Sequence, residues 1–122
     1  MRSWVTQLRK GLLEFLVLSA IAEGETYGYQ LIQRLKAIDA LAVSESTVYP
    51  ILERLRRDAY LRLRSEQSPN GPMRRYYSLS KLGENRLAEM DRHWDRLCAS
   101  VESQRKKRNG GSHAKQCRQG NP

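Results

Sequence analysis

Apolar positions along the first hundred residues follow two different periods, and the change of period marks a change of structure. From about Val5 to Ala22 the pattern is helical. Leu8, Leu12, Phe15, Leu16, Ser19 and Ala20 share one side, and Leu13, Val17, Leu18 and Ile21 widen it. A helix apolar over so much of its circumference is expected to be buried on several sides, with Gly24 ending it. A second helix starts near Thr26 or Tyr27, with Leu31, Ile32, Leu35 and Ile38 as a narrow core stripe. After a short connection, Ala40-Leu41-Ala42-Val43, Ser44 or Ser46 offers a cap for a third helix. Its inner face carries Val48, Ile51, Leu52 and Leu55, and its outer face Ser46, Thr47, Tyr49, Glu53, Arg54 and Arg57. Pro50 would remove a hydrogen bond from a helix interior, so this helix is expected to begin close to Ser46.

The period then falls to two. Leu61-Arg62-Leu63-Arg64 and Arg74-Arg75-Tyr76-Tyr77-Ser78-Leu79 alternate as strands, with Tyr77 and Leu79 inward. Between them Ser68-Pro69-Asn70-Gly71-Pro72 is a dense turn signal, which predicts a hairpin with a long tip. Of the adjacent Tyr76 and Tyr77, one belongs to the core and the other to the surface. Ser80 can cap a last helix from Lys81 to about Gln104. Leu87, Met90, Trp94, Leu97 and Val101 recur at steps of 3, 4, 3 and 4, a heptad seam. Two heptads are short for a free coiled coil, so the seam must pack on the first helix or on a second chain.

Charge sharpens this picture. The chain of 122 residues carries +9, but six lysines and arginines and no acid lie from Arg105 onward, leaving only +3 for the rest. The high charge is therefore mostly that of a tail, Arg105 to Pro122, expected to be disordered. It is either a solvated end or a non-specific arm on DNA. Within the body, Arg54, Arg56, Arg57, Arg62, Arg64, Arg74 and Arg75 face only Asp58 and Glu66 between positions 54 and 75. Arginine suits bidentate phosphate and guanine contacts better than lysine does.

Other chemistry is sparse. Cys98 and Cys117 have neither metal-ligand nor redox spacing and are expected to be reduced structural thiols, Cys98 at least half-buried. The longest apolar stretch, Leu12 to Ala22, is interrupted by Glu14 and Ser19 and is about half a membrane span. No secretory leader is visible after Met1, so a cytoplasmic protein with no membrane partner is expected. No paired carboxylates, nucleophile with a nearby histidine, phosphate loop or metal set is present, so no enzyme, cofactor or metal is expected.

The fold class expected is mainly α with a small β-hairpin: a winged helix-turn-helix over residues 1–79, a C-terminal dimerisation helix over 80–104 and a basic tail over 105–122. A helix that enters the major groove must anchor one face in its domain and offer the other to bases and phosphates, as the Ser46–Arg57 segment does. Ser44-Glu45-Ser46-Thr47-Val48-Tyr49-Pro50, with Leu52 and Arg54-Leu55, resembles the recognition helix of the PadR family, the phenolic acid decarboxylase repressors. Tyr27-Gly28-Tyr29-Gln30-Leu31 resembles the start of that family's second helix. Gly71-Pro72-Met73-Arg74-Arg75-Tyr76-Tyr77-Ser78-Leu79-Ser80, with Gly83, resembles its wing and the start of its last helix. The resemblance runs from about Leu8 to Val101, and the short chain resembles the subgroup with a single C-terminal helix.

It implies a homodimeric repressor on a pseudo-palindromic, double-stranded operator, released by a small aromatic effector or another signal. An alternative is a winged-helix protein-interaction module that senses nothing. The residues expected at DNA are Ser46, Thr47, Tyr49, Pro50, Arg54, Arg57, Asn70, Gly71 and Arg74. Tyr49 could instead cover a helix turn, and Arg54 and Arg57 could instead pair with Glu53 and Asp58. Leu87, Met90, Trp94, Leu97 and Val101 are expected at the dimer interface. Trp94 either packs there or lines a ligand pocket between subunits, a role the resemblance suggests. His93 is expected to be exposed. Three positions depart from the family: Ser46 and Ala59 stand where glycine is usual, and Met73 where proline or another small residue is. If position 59 is left-handed, its alanine is strained.

Overall fold

Seven elements follow one another: α1 (Trp4–Ile21), β1 (Thr26–Tyr27), α2 (Gly28–Lys36), α3 (Glu45–Arg57), β2 (Leu61–Glu66), β3 (Arg74–Leu79) and α4 (Lys81–Arg108). The structure is a computed structural model that describes residues 3–38 and 43–110. The connection Ala40-Leu41-Ala42, the cysteine Cys117 and the tail charges Lys115 and Arg118 lie outside the described residues. Two compact units divide the chain, one ending at Leu87 and the other starting at Ala88.

In the first unit, Val17, Leu18 and Ile21 of α1 meet a core with Leu31, Ile32 and Leu35 of α2 and Val48, Leu52 and Leu55 of α3, all fully buried. Truncating any of these leucines would cost about 2–5 kcal/mol, the transfer and cavity terms together. The buried face of α1 is thus the Leu13-Val17-Ile21 side, while Leu8, placed on the main face by the sequence pattern, is exposed. Apolar residues nearly all round α1 left the periodicity unable to choose a face. Ile38 lies past the end of α2 and is also exposed. The sheet has the order β1-β3-β2, all antiparallel, with Thr26 opposite Tyr77 and Leu63 opposite the same tyrosine on the other side. The expected hairpin therefore gains a third strand. Thr26 and Tyr27 pair with β3, and α2 starts only at Gly28. Two residues show no period, so the pattern along the chain cannot separate this strand from the helix that follows it.

Three caps set the chain's course. Ser3 Oγ accepts from Thr6 N at 3.1 Å and starts α1. Ser80 Oγ accepts from Gly83 N at 3.0 Å and donates to Ala59 O at 2.7 Å, so the start of α4 is fastened to the end of α3. The end of α3 is a Schellman motif: Tyr60 N donates to Leu55 O (2.9 Å) and Ala59 N to Arg56 O (3.0 Å). Ala59 sits at φ +68°, so the strain expected of this alanine is present. Gly83 has its own reason. A Cβ there would lie 2.1 Å from Tyr60 O, a backbone atom that cannot step aside.

In the second unit α4 buries Cys98 and Glu102, the latter accepting from Arg105 Nη1 at 3.2 Å. Leu87, Met90 and Trp94 are half-buried, whereas Leu97 and Val101 are 58% and 50% exposed. The helix runs through Arg105, Lys106, Lys107 and Arg108, four residues that the sequence pattern had placed in a disordered tail. Lysine and arginine are good helix formers, and cations at a helix C-terminus meet its partial negative charge. Gly110, at φ +71°, follows its end.

Candidate nucleic-acid interface

α3 presents two faces of opposite character. Val48, Leu52 and Leu55 lie in the core, and the opposite row of Ser46, Pro50 and Arg57 is exposed, flanked by Thr47. Ser44 is the N-cap, but its hydroxyl makes no bond to the backbone of the first turn. It lies 3.0 Å from Ser46 Oγ and 3.2 Å from Thr47 Oγ1, forming a cluster of hydroxyls at the helix start. First-turn N–H groups are thereby left without a side-chain acceptor, an arrangement suited to an anion, with Glu45 as an opposing charge. Pro50 is the sixth residue of the helix, which starts beside Ser46 as expected. Its missing N–H frees the Ser46 carbonyl, on the exposed side of the helix.

Tyr49 has a double role. It is 43% exposed, yet its ring lies on Gly28 at the start of α2, where an added Cβ would fall 2.5 Å from its hydroxyl and 2.8 Å from Cε1. Partial burial pushes its hydroxyl pKa up, with Glu45 adding to the effect. Gly28 is thus a residue of the site that sequence reasoning did not single out as such. It lets the two helices approach through the tyrosine ring.

The seven arginines between positions 54 and 75 divide into engaged and available cations. Arg64 donates to both Glu25 oxygens (2.9 and 2.8 Å) and to Glu66 (2.9 Å), and lies 4.7 Å over the Tyr76 ring. Its hydrogen bond to Glu25 holds that carboxyl below the usual range. Arg56 pairs with Glu53 and lowers that carboxyl likewise. Arg54 is bound neither to Glu53 nor to Asp58 but to Glu14 of α1, at 3.1 Å. Arg57, Arg62, Arg74 and Arg75 are exposed and have no ion pair among the described residues.

On the outer face of the sheet Arg74 lies 4.6 Å over the Tyr27 ring, which meets Tyr76 edge-on at 5.4 Å. Tyr77 is the inward member of its pair and Tyr76 the outer one. Beyond Arg74 the exposed tip carries Asn70 and Gly71. Tyr27, Tyr29, Ser68, Pro69, Pro72 and Arg74 help line an open groove of about 690 Å³ between this tip and the start of α2. Tyr29 is a lining residue that the sequence pattern does not single out, whereas Arg75, beside Arg74 at the wing, is within the reach expected of the hairpin tip. The signal for Tyr29 is its adjacency to Gly28, which sequence alone does not rank.

Three helices, a small antiparallel sheet with a projecting tip and a long following helix define a winged helix-turn-helix protein, mainly α with a small β element. Residues 17–89 match the model of the transcriptional regulator PadR-like family. A Streptococcus transcriptional regulator of solved structure is 39% identical, over 81% of this chain and 97% of that one, with a TM-score of 0.72. A PadR-like transcriptional regulator from Bacillus cereus is 32% identical over 80% of this chain and 94% of that one, also at 0.72. Bacillus subtilis PadR, solved in complex with operator DNA, is similar in fold at 22% identity, a TM-score of 0.59 and coverage of 65% and 46%. The chain belongs to the PadR-like family, whose members are transcriptional regulators and not enzymes.

Proposed function

We propose that this protein is a homodimeric repressor in the cytoplasm that reads a double-stranded operator with α3 and its wing and is released by a small aromatic ligand. The observation that carries the DNA reading is the division of α3: three fully buried residues anchor it, and an exposed row of Ser46, Pro50 and Arg57 stands opposite. Thr47, Tyr49 and Arg54 extend that row on both flanks. Asn70, Gly71 and Arg74 supply the wing contact, with the cation of Arg74 held on an aromatic ring rather than on a carboxylate. Bacillus subtilis PadR, similar in fold, was solved in complex with operator DNA, which supports DNA as the partner.

A second copy is the partner that the exposed part of the heptad seam calls for, since Leu97 and Val101 would otherwise remain in water. Two copies place their reading helices one helical turn of DNA apart, about 34 Å, and so select a pseudo-palindrome. Trp94 is the flat aromatic surface on which a planar ligand would stack between subunits.

Band-shift titration at two salt concentrations tests this, with DNA from upstream of the protein's own coding sequence and a shuffled duplex. Steep salt dependence together with preference for one sequence supports the reading. Binding only to other proteins refutes it. Sedimentation at micromolar concentration must show a dimer. Planar phenols must quench Trp94 fluorescence in a Trp4→Phe background, and absence of quenching removes the ligand from the proposal.

A further inference from the structure

One carboxylate on α1 is shared by two arginines from different elements. Glu14 Oε1 accepts from Arg54 Nη2 of α3 at 3.1 Å. Glu14 Oε2 accepts from Arg86 Nε at 2.9 Å and lies 2.8 Å from Arg86 Nη2, in the first turns of α4. Arg86 is itself fixed, donating to Tyr60 Oη at 3.3 Å and lying 4.8 Å over that ring. The Glu14 side chain is only 20% exposed, and the Arg54 side chain 47%.

The two arginines are held differently. Arg86 meets Glu14 with two nitrogens and is further held by Tyr60, whereas Arg54 meets Glu14 with one nitrogen. A guanidinium has five N–H donors in a rigid plane, so most of those on Arg54 remain unspent. One carboxylate against two guanidinium groups also leaves the cluster with a net positive charge. Arg54 belongs to the flank of α3 that carries Thr47, beside the exposed row.

We propose that Glu14, braced by Arg86, is a positioning residue that holds Arg54 at a fixed angle so that its free edge receives a DNA phosphate. Lysine in its place would keep the charge and lose the plane. The three donors of an ammonium sit on one freely rotating nitrogen, so they cannot hold Glu14 and a phosphate along two fixed directions as the planar fork does. The assignment rests on the operator-binding reading and adds two residues to it, Glu14 and Arg86, that touch no DNA.

The test is salt-titrated binding of the full chain to the upstream duplex and its shuffled counterpart. Arg54→Ala and Arg54→Lys leave the Glu14–Arg86 pair in place. Both should weaken binding to both duplexes about ten-fold per lost contact. The salt slope should shrink by about 0.9 per protomer. Glu14→Gln should give the same loss, and the Glu14→Gln/Arg54→Ala double variant should bind no worse than Arg54→Ala alone. A purely structural Glu14 would lower the unfolding temperature and leave the salt slope of the folded fraction unchanged.

The proposal is overturned if Arg54→Lys binds as the parent does, or if the two substitutions act additively. It is equally overturned if Glu14→Gln binds more tightly with a steeper slope, because Glu14 would then sequester Arg54. Should Glu14→Gln not fold, the Arg54 variants decide alone. Failure of the parent chain to bind either duplex would instead remove the operator-binding reading itself, and this assignment with it.

Discussion

Replacing Ala59 by glycine should stabilise the protein, and the size of the gain follows from the end of α3. Ala59 occupies the left-handed position of a Schellman motif at φ +68°, with its own N–H and that of Tyr60 both bonded back into the helix. An L-residue with a Cβ in this region is disfavoured by roughly 1–2 kcal/mol. Glycine escapes that penalty but gives the unfolded chain more freedom, which returns about 0.4–1 kcal/mol. Because Ala59 is exposed, the lost methyl removes no burial. The net expectation is a gain of about 0.5–1 kcal/mol, or roughly 2–5 °C in Tm for a body of this size. Ala59→Asn should fall between the two, since asparagine tolerates this region, and Ala59→Val should be worse than the parent. The assay is urea and thermal unfolding followed by circular dichroism. Protomer concentration must be matched, because a dimer's Tm depends on it. A shift in urea midpoint without a change in slope identifies a true stability effect. A Tm for Ala59→Gly at or below that of the parent would refute the argument from backbone strain.

Gly83→Ala should be among the most damaging single substitutions, above about 4 kcal/mol, because the new methyl meets a backbone oxygen; a well-folded variant with near-parent Tm would contradict this. Gly28→Ala should cost less, about 1–3 kcal/mol, because the clash is with the Tyr49 ring, which can swing outward. The prediction is checked by combining it with Tyr49→Ala, where the Gly28→Ala penalty should largely vanish. Glu25 titrates below its usual range because of Arg64, so its pair with Arg64 stabilises the fold above the unfolded carboxylate value of about 4.3. That contribution is lost as pH falls through the lower folded value, so Tm should decline with acidity less steeply in Glu25→Gln than in the parent. Leu97→Asp should move the sedimentation profile toward monomer while leaving far-ultraviolet ellipticity of the first unit largely intact, and an unchanged dimer would relocate the interface.

How far the site could be read from sequence differs from residue to residue. The outer row of α3 was legible because a helix with Val48, Leu52 and Leu55 inside must turn Ser46, Pro50 and Arg57 out. The availability of each arginine was not. Arg54 and Arg64 look alike in the sequence. Arg54, bound to Glu14 40 positions away, spares part of its fork, while Arg64 is closed by Glu25, Glu66 and Tyr76, of which Glu25 lies 39 positions away. That Tyr49 covers a neighbour was an open alternative, but its partner was not legible, since the space beneath its ring is supplied by Gly28 on another helix.

The order of the four helices and the hairpin and the presence of a heptad seam were fixed by local chemistry: period and turn residues act over a few positions and are written there. Which face of α1 is buried, that Thr26 and Tyr27 join β3 as a third strand, and that Glu14 ties α3 to α4 depend on contacts between segments distant along the chain. Side-chain pairing across such distances follows from how the elements are packed, and periodicity carries no information about it.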